Sequence, residues 1–171
     1  MTYNLHPLFV HFPIALLFLY SIVKIVPGDR WFPRVAWKHI ERALLLVGVC
    51  GAFLALSTGE TAEHLVRPNH QLVEMHSLFA TISTWLYGAL LAGEFLSIVN
   101  PMILPKIRSS VVVKILALIE KILAHKAFSK ILALFGLVAI SVTGLLGGVM
   151  VYGVSADPIA GTVLTLLGIS L

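Results

Sequence analysis

Apolar residues run along this chain in long stretches, and four of the stretches are long enough to cross a membrane. A spanning helix needs about 20 mostly apolar residues to cross a hydrocarbon core of roughly 30 Å. Such stretches cover residues 7–26, 40–58, 77–99 and 131–154, and the third is expected to stop at Asn100 and Pro101. The pattern predicts an all-α integral membrane protein, an antiparallel four-helix transmembrane bundle.

Two shorter apolar pieces do not reach spanning length. In residues 111–124, Lys114 and Lys121 share one helical face with the following His125, which predicts a cytoplasmic amphipathic helix lying at the membrane interface. The apolar tail, residues 158–171, is expected to lie at the interface, re-enter the membrane or pack against a partner. The predicted division is a bundle over residues 1–155, with an insertion at 101–130, and a tail over 156–171.

Composition excludes most soluble classes. The chain has 171 residues, of which 58% are hydrophobic and 12% charged, whereas a soluble domain has roughly 45–50% apolar and about 25% charged residues. Cys50 is the only cysteine, so no disulfide scaffold is possible. The sequence pI of about 9.4 reflects basic residues grouped in particular loops, which favours a topological explanation over nucleic-acid binding.

The positive charges predict the orientation. Eleven of the 12 Lys and Arg residues flank one side of the predicted bundle, and Arg67 lies alone on the other. By the positive-inside rule, the connections between the first and second spans and between the third and fourth face the cytoplasm. Both termini and the loop over residues 59–75 are then expected outside.

Histidines concentrate on the predicted outer side. Five of the seven map there, accompanied by three glutamates, and ionisable groups at membrane depth often mark ion, proton or cofactor sites. His11 lies inside the first span and His76 at the start of the third, and they are the first-choice axial pair for a b-type haem. A second haem, or contacts around the first, would use His6 with His70 or His64. Arg67 would pair with a propionate.

Small residues add a second pattern. Gly51, Ala55 and Gly59 recur every four residues in the second span, and Gly144 and Gly148 do so in the fourth. Such stripes are typical of close helix packing, and they would also leave room for a flat macrocycle.

Three other interpretations stay open. Glu60, Glu63 and His64 are spaced to share a helical face and to hold a zinc, copper or iron ion, although a solvated loop explains them too. Glu94, within the third span, points to proton handling, with Lys24 or another basic residue as its partner. A purely structural subunit would keep the histidines at headgroup level. No phosphate-binding loop, GxSxG elbow or CxxCH motif is present.

Four motifs in order resemble the bacterial membrane-protein family catalogued as domain of unknown function 2231. They are LHPLFVHFPI at 5–14, GETAEH at 59–64, EMH at 74–76, and the glycines 147–148 with Val151 and Tyr152. The family is regarded as a four-span membrane domain that sometimes accompanies redox modules such as Rieske domains. The resemblance implies a redox role and marks His6, His11, Glu60, Glu63 and His76; it extends less closely to His64 and His70. The insertion at 101–130 departs from the family pattern.

Together these observations predict an electron-transfer subunit of the bacterial cytoplasmic (inner) membrane that binds one or two b-type haems, and not a stand-alone enzyme. The expected partners are the lipid bilayer, other subunits of a membrane redox complex, and a quinone or a periplasmic electron carrier. The alternative is a non-haem metal-binding subunit, with zinc, copper or iron, or a purely structural one.

Overall fold

A computed structural model describes residues 6–66 and 69–169, with the side chains of residues 7, 8, 60–66 and 156 left aside. Throughout these ranges the regular elements are helices, and no strand occurs. In chain order the helices are α1 (His6–Ile25), α2 (Gly28–Trp31), α3 (Trp37–Val66), α4 (His70–Ile103), α5 (Ser110–Leu123), α6 (Lys126–Tyr152) and α7 (Ala160–Leu166).

Three of the helices in the described ranges are long and apolar enough to cross a membrane. The segments are Trp37–Gly59 in α3, His70–Lys106 through α4, and Lys126–Tyr152 in α6. The first predicted span forms α1, but its apolar segment, Phe9–Ile25, is shorter than the other three. An all-helical architecture is therefore confirmed, with three candidate membrane spans by length and composition where the sequence predicts four.

The four long helices pack side by side. α1 contacts α3 and α6, and α4 contacts the same two helices from the other side. A buried core forms between them around Leu17, Leu45 and Leu90. Across the centre, the rings of Tyr20 in α1 and Tyr87 in α4 meet edge to face, with centroids 6.0 Å apart.

The prediction of a loop over residues 59–75 is wrong, because helices occupy most of this range. α3 continues to Val66 and α4 begins at His70. Asn69 caps α4, since its side chain accepts a hydrogen bond from the Leu72 amide at 3.3 Å. α3 and α4 therefore continue as helices beyond their apolar segments, through residues with polar side chains.

The predicted stop at Asn100 and Pro101 is also wrong. α4 continues to Ile103 with Pro101 inside its last turn, where the missing amide removes a single helical hydrogen bond. Asn100 is buried, and its side-chain amide donates to the Leu116 carbonyl at 3.4 Å and to the Glu120 carboxylate at 2.5 Å. α5 is present as predicted; Leu123 near its end packs on Gly93, so α5 runs back along α4 and the two form a helical hairpin.

The apolar tail packs on the chain itself, and its predicted place relative to the membrane stays a prediction. Its short helix α7 buries Ala160 and Leu164 against Leu146 and Val149 of α6 and Leu72 of α4. The Gln71 side chain also donates to the Gly168 carbonyl at 3.0 Å. The tail thus covers the ends of α4 and α6 that lie near the histidines.

Candidate histidine site

His6 begins α1 and lies against the end of α3. Its Nδ1 is 3.1 Å from Thr58 Oγ1, and the imidazole also donates to the Ala55 carbonyl. The Thr58 hydroxyl also lies 3.1 Å from the carbonyl oxygens of Leu54 and Ala55. When it donates to one of these carbonyls it accepts from His6, and in that tautomer Nδ1 carries the proton and Nε2 the lone pair.

Burial lowers the pKa of His6, and the hydrogen bond to the Ala55 carbonyl opposes this shift. His6 precedes the apolar segment Phe9–Ile25. A lowered pKa favours the neutral imidazole near neutral pH, and neutral imidazole is the form that binds metals.

His76 lies in the second turn of α4 and faces α6. Its Nδ1 is 3.0 Å from the Thr143 carbonyl oxygen. Because a carbonyl only accepts, Nδ1 carries the proton and Nε2 is the nitrogen with a lone pair. The ring also lies against Gly147, where a Cβ would stand 3.3 Å from His76 Cε1.

The two imidazoles are held in the same way. Each directs Nδ1 toward a threonine oxygen of the neighbouring helix, and each places Cε1 beside a glycine, Gly59 for His6 and Gly147 for His76. They lie within electrostatic range of each other. We call this arrangement the imidazole pair; it presents two Nε2 atoms from two helices that do not follow one another in the chain.

The other predicted histidines lie elsewhere or outside the description. His11 is on an exposed position of α1. His70 is 88% exposed and its Nδ1 lies 4.0 Å from a carboxylate oxygen of Glu74, which is 73% exposed. The predicted His11–His76 pairing stays a prediction; His6 lies within electrostatic range of His76.

The predicted ligands of a zinc, copper or iron ion lie outside the described side chains. The backbone of residues 60–66 is helical, but the side chains of Glu60, Glu63 and His64 lie outside the described part, and so does Arg67. Among the side chains that are described, no group of three or more His, Cys, Asp or Glu residues could hold a metal ion. The zinc, copper or iron alternative therefore rests on the sequence.

The glycine stripes are mostly filled by neighbouring helices. Gly51 faces Pro13, Gly59 faces His6 and Gly144 faces Ile14, while a Cβ on Gly148 would meet nothing within 4 Å. Close helix packing accounts for the stripe on α3, and the stripe on α6 leaves open space at Gly148.

The opposite end of the helices carries ion pairs. Glu94 pairs with Arg42 at 3.1 Å and with Lys38 at 3.5 Å. The predicted Lys24 partner instead pairs with Glu41 at 2.8 Å, while Lys130 donates to the Ile25 carbonyl at 2.9 Å. We call this the basic end; a basic residue near Glu94 was correctly predicted, although Lys24 was not that residue.

Polar side chains in the centre of the packed helices were missed from the sequence. Ser21 and Tyr87 are fully buried and their hydroxyl oxygens are 2.7 Å apart. Ser83 and Thr84 are also buried. A signal was present on α4, because His76, Ser83, Tyr87 and Glu94 recur at intervals of seven, four and seven residues and so share one helical face.

A family model described as predicted membrane protein, domain of unknown function 2231, matches residues 2–157. No curated protein and no solved structure matches the chain.

Proposed function

The chain belongs to the family of predicted membrane proteins defined by domain of unknown function 2231, and from that premise we propose that it is a b-type haem-binding electron-transfer subunit of a membrane redox complex. The imidazole pair carries the proposal. Two histidines from separate helices, with both Nδ1 atoms engaged, suit bis-imidazole ligation through Nε2.

His76 and His6 would hold the haem iron, and the hydrogen bonds at Nδ1 would fix ring orientation and ligand basicity. A haem held by these two imidazoles would supply one-electron transfer. The open space at Gly148, one residue past the glycine that faces His76, suits a flat group near the pair. In this proposal His6 takes the place of His11, the first choice from the sequence.

We further propose that α1 is a fourth span of an antiparallel bundle. α1 packs between α3 and α6 and is 20 residues long. Helices of this length rise about 30 Å. The basic end would face the cytoplasm and the imidazole pair the outside of the inner membrane, as the positive-inside rule indicates.

We identify the proposed electron-transfer partners by their chemical class. A haem near the outer face would exchange electrons with another membrane subunit or a periplasmic carrier. An apolar groove of about 360 Å³ between α3 and α4, bordered by Phe53, Trp85 and Phe95, suits an isoprenoid tail or a lipid chain. The residues lining this groove are apolar, so the groove itself supports no quinone headgroup site.

The test is an absorption spectrum of detergent-purified protein expressed with ample haem, oxidised and dithionite-reduced, with haem and metal analysis on the same sample. We expect a low-spin haem b spectrum that is lost in His76→Ala and His6→Ala. His125→Ala is the matched control, because His125 lies at the opposite end, before α6, and should leave the spectrum unchanged.

His11→Ala separates the two ligand assignments. Retention of the spectrum supports His6 as the second ligand, whereas its loss restores the pairing of His11 with His76. A wild-type protein with no Soret band would refute the haem proposal. Stoichiometric zinc, copper or iron in that sample would then favour the Glu60, Glu63 and His64 site, and the absence of any metal a structural subunit.

A further inference from the structure

Buried hydroxyl groups lie between the two ends of the packed helices. On α4, His76 and Glu94 are 18 residues apart (94 − 76), five helical turns, so they lie on one face. Between them, buried on the same helix, are Ser83, Thr84 and Tyr87. With Tyr20 and Ser21 of α1 these residues form what we call the hydroxyl ladder.

The ladder is joined across helices at its centre. Ser21 Oγ and Tyr87 OH are 2.7 Å apart, and either hydroxyl can donate to the other. The Tyr20 ring packs edge to face on Tyr87. α1 and α4 are diagonal neighbours, each separated from the other by α3 and α6, so this contact lies in the middle of the helix packing.

Tyr20 is the unusual member. Its side chain is 1% exposed, and its hydroxyl has no hydrogen-bond partner among the residues described. Buried hydroxyl groups in proteins are nearly always bonded to protein or to ordered water, because an unmade bond costs about 1–3 kcal/mol. Tyr20 also lies within electrostatic range of Glu41 and Glu94 at the basic end.

We propose that the hydroxyl ladder conducts protons between the basic end and the imidazole pair, with the Tyr20 hydroxyl linking the carboxylates Glu41 and Glu94 to the Ser21–Tyr87 bond through internal water. At each step an oxygen accepts one proton and passes its own proton on. No electron moves, and every group regains its original protonation state once its hydrogen bonds reorient. The path therefore needs no cofactor.

The distances along α4 require water. From Glu94 to Tyr87 the helix rises about 10 Å, and from Tyr87 to His76 about 16 Å. Ser83 and Thr84 lie between Tyr87 and His76. Their hydroxyls donate to the Ala80 carbonyl at 2.9 and 2.8 Å. Each hydroxyl oxygen keeps a lone pair that can accept a hydrogen bond from water. Polar interior sites of this kind are where proteins hold ordered water.

The substitution Tyr20→Phe tests the path with little structural cost. It removes a hydroxyl that bonds to no described residue and keeps the ring packed on Tyr87. A merely structural tyrosine therefore predicts unchanged or higher stability and unchanged proton flux. Tyr152→Phe is the control, because Tyr152 is exposed at the end of α6.

The experiment places the purified full-length protein in phosphatidylcholine–phosphatidylglycerol vesicles that contain a pH-sensitive dye, and drives proton entry with a valinomycin potassium potential. Wild type and Tyr152→Phe should admit protons faster than protein-free vesicles, and Tyr20→Phe should fall to the protein-free rate. Equal rates for wild type and empty vesicles, or for Tyr20→Phe and wild type, would overturn the proposal. Haem spectra of the same preparations report separately on the proposed haem.

Discussion

The imidazole of His76 shows how one backbone contact decides the chemistry of a side chain. The Thr143 carbonyl can only accept, so it holds the proton on Nδ1 and presents Nε2 as the basic nitrogen. Thr143 supplies this acceptor from the backbone, so the interaction does not depend on its side chain. Its side chain hydroxyl donates to the Ala139 carbonyl at 2.8 Å instead.

Gly147 gives a residue-scale prediction. In Gly147→Ala the new Cβ would stand 3.3 Å from His76 Cε1, closer than an ordinary contact, and the imidazole must move. The ring has to shift by a few tenths of an ångström, and this takes up much of the displacement of about 0.5 Å that ligand geometry tolerates. We expect a lower haem-to-protein ratio in the purified variant than in wild type, measured by the pyridine haemochrome assay.

Gly88→Ala is the control for that measurement, because its Cβ would meet nothing within 4 Å and the residue lies about 18 Å along α4 from His76. Equal haem ratios in the two variants, with both proteins folded, would show that the position of the His76 ring does not matter to haem binding.

The sequence was sufficient to predict that histidines gather at one end, but not which two meet. His6 and His11 are five residues apart and so differ by about 140° around a helix axis. Which of the two residues faces the neighbouring helices therefore depends on the rotation of α1 about its axis, and exchanging them takes a rotation of about 140°. The rotation is set by the packing of Pro13 on Gly51 and of Leu17 on Gly48, which no periodicity reveals.

At the scale of elements, the α4–α5 hairpin depends on one buried amide. Asn100 donates to the Leu116 carbonyl and the Glu120 carboxylate, both in α5. In Asn100→Ala both acceptors lose their donor, and a lost buried hydrogen bond of this kind costs about 1–3 kcal/mol. We expect faster amide hydrogen exchange throughout α5, with exchange in α6 unchanged.

Asn69→Ala is the comparison variant, because it removes the cap of α4 at the other end of the same helix. It should raise exchange in the first turn of α4 and leave α5 at the wild-type rate. If α5 exchanges equally in wild type and Asn100→Ala, the hairpin is held by the packing of Leu123 on Gly93 and not by the amide.

Asn100 also explains why the end of α4 was misplaced. Asn followed by Pro is a common helix-ending signal, and read locally it stops the helix. The bonds that satisfy Asn100 come from residues 16 and 20 positions later in the chain. A tertiary contact of this separation overrides a local signal, whereas the existence of the long apolar helices needed no such contact and was predicted.

At the scale of the whole molecule, the two ends differ in chemistry. One end joins Lys24, Glu41, Arg42 and Glu94 in ion pairs, and the other holds the imidazole pair. The sequence predicted this polarity because charge and histidine counts do not depend on the rotation of any helix. The contacts of α7 with α4 and α6 could not be predicted, since a short apolar segment fits several surfaces equally well.

The orientation gives the last prediction. In a Cys50→Ala background, we expect cysteines at Ala36→Cys and Ser110→Cys to resist a membrane-impermeant maleimide in intact bacterial cells, because both positions adjoin the basic residues expected in the cytoplasm. A cysteine at Ser155→Cys, just beyond α6, should be labelled, and so should one in a short N-terminal tag if α1 spans.

Permeabilised cells provide the control, since all four positions should then react. Labelling of Ser110→Cys and Ser155→Cys from the same side would exclude α6 as a span, and protection of the tag would place α1 within one leaflet and remove the fourth span.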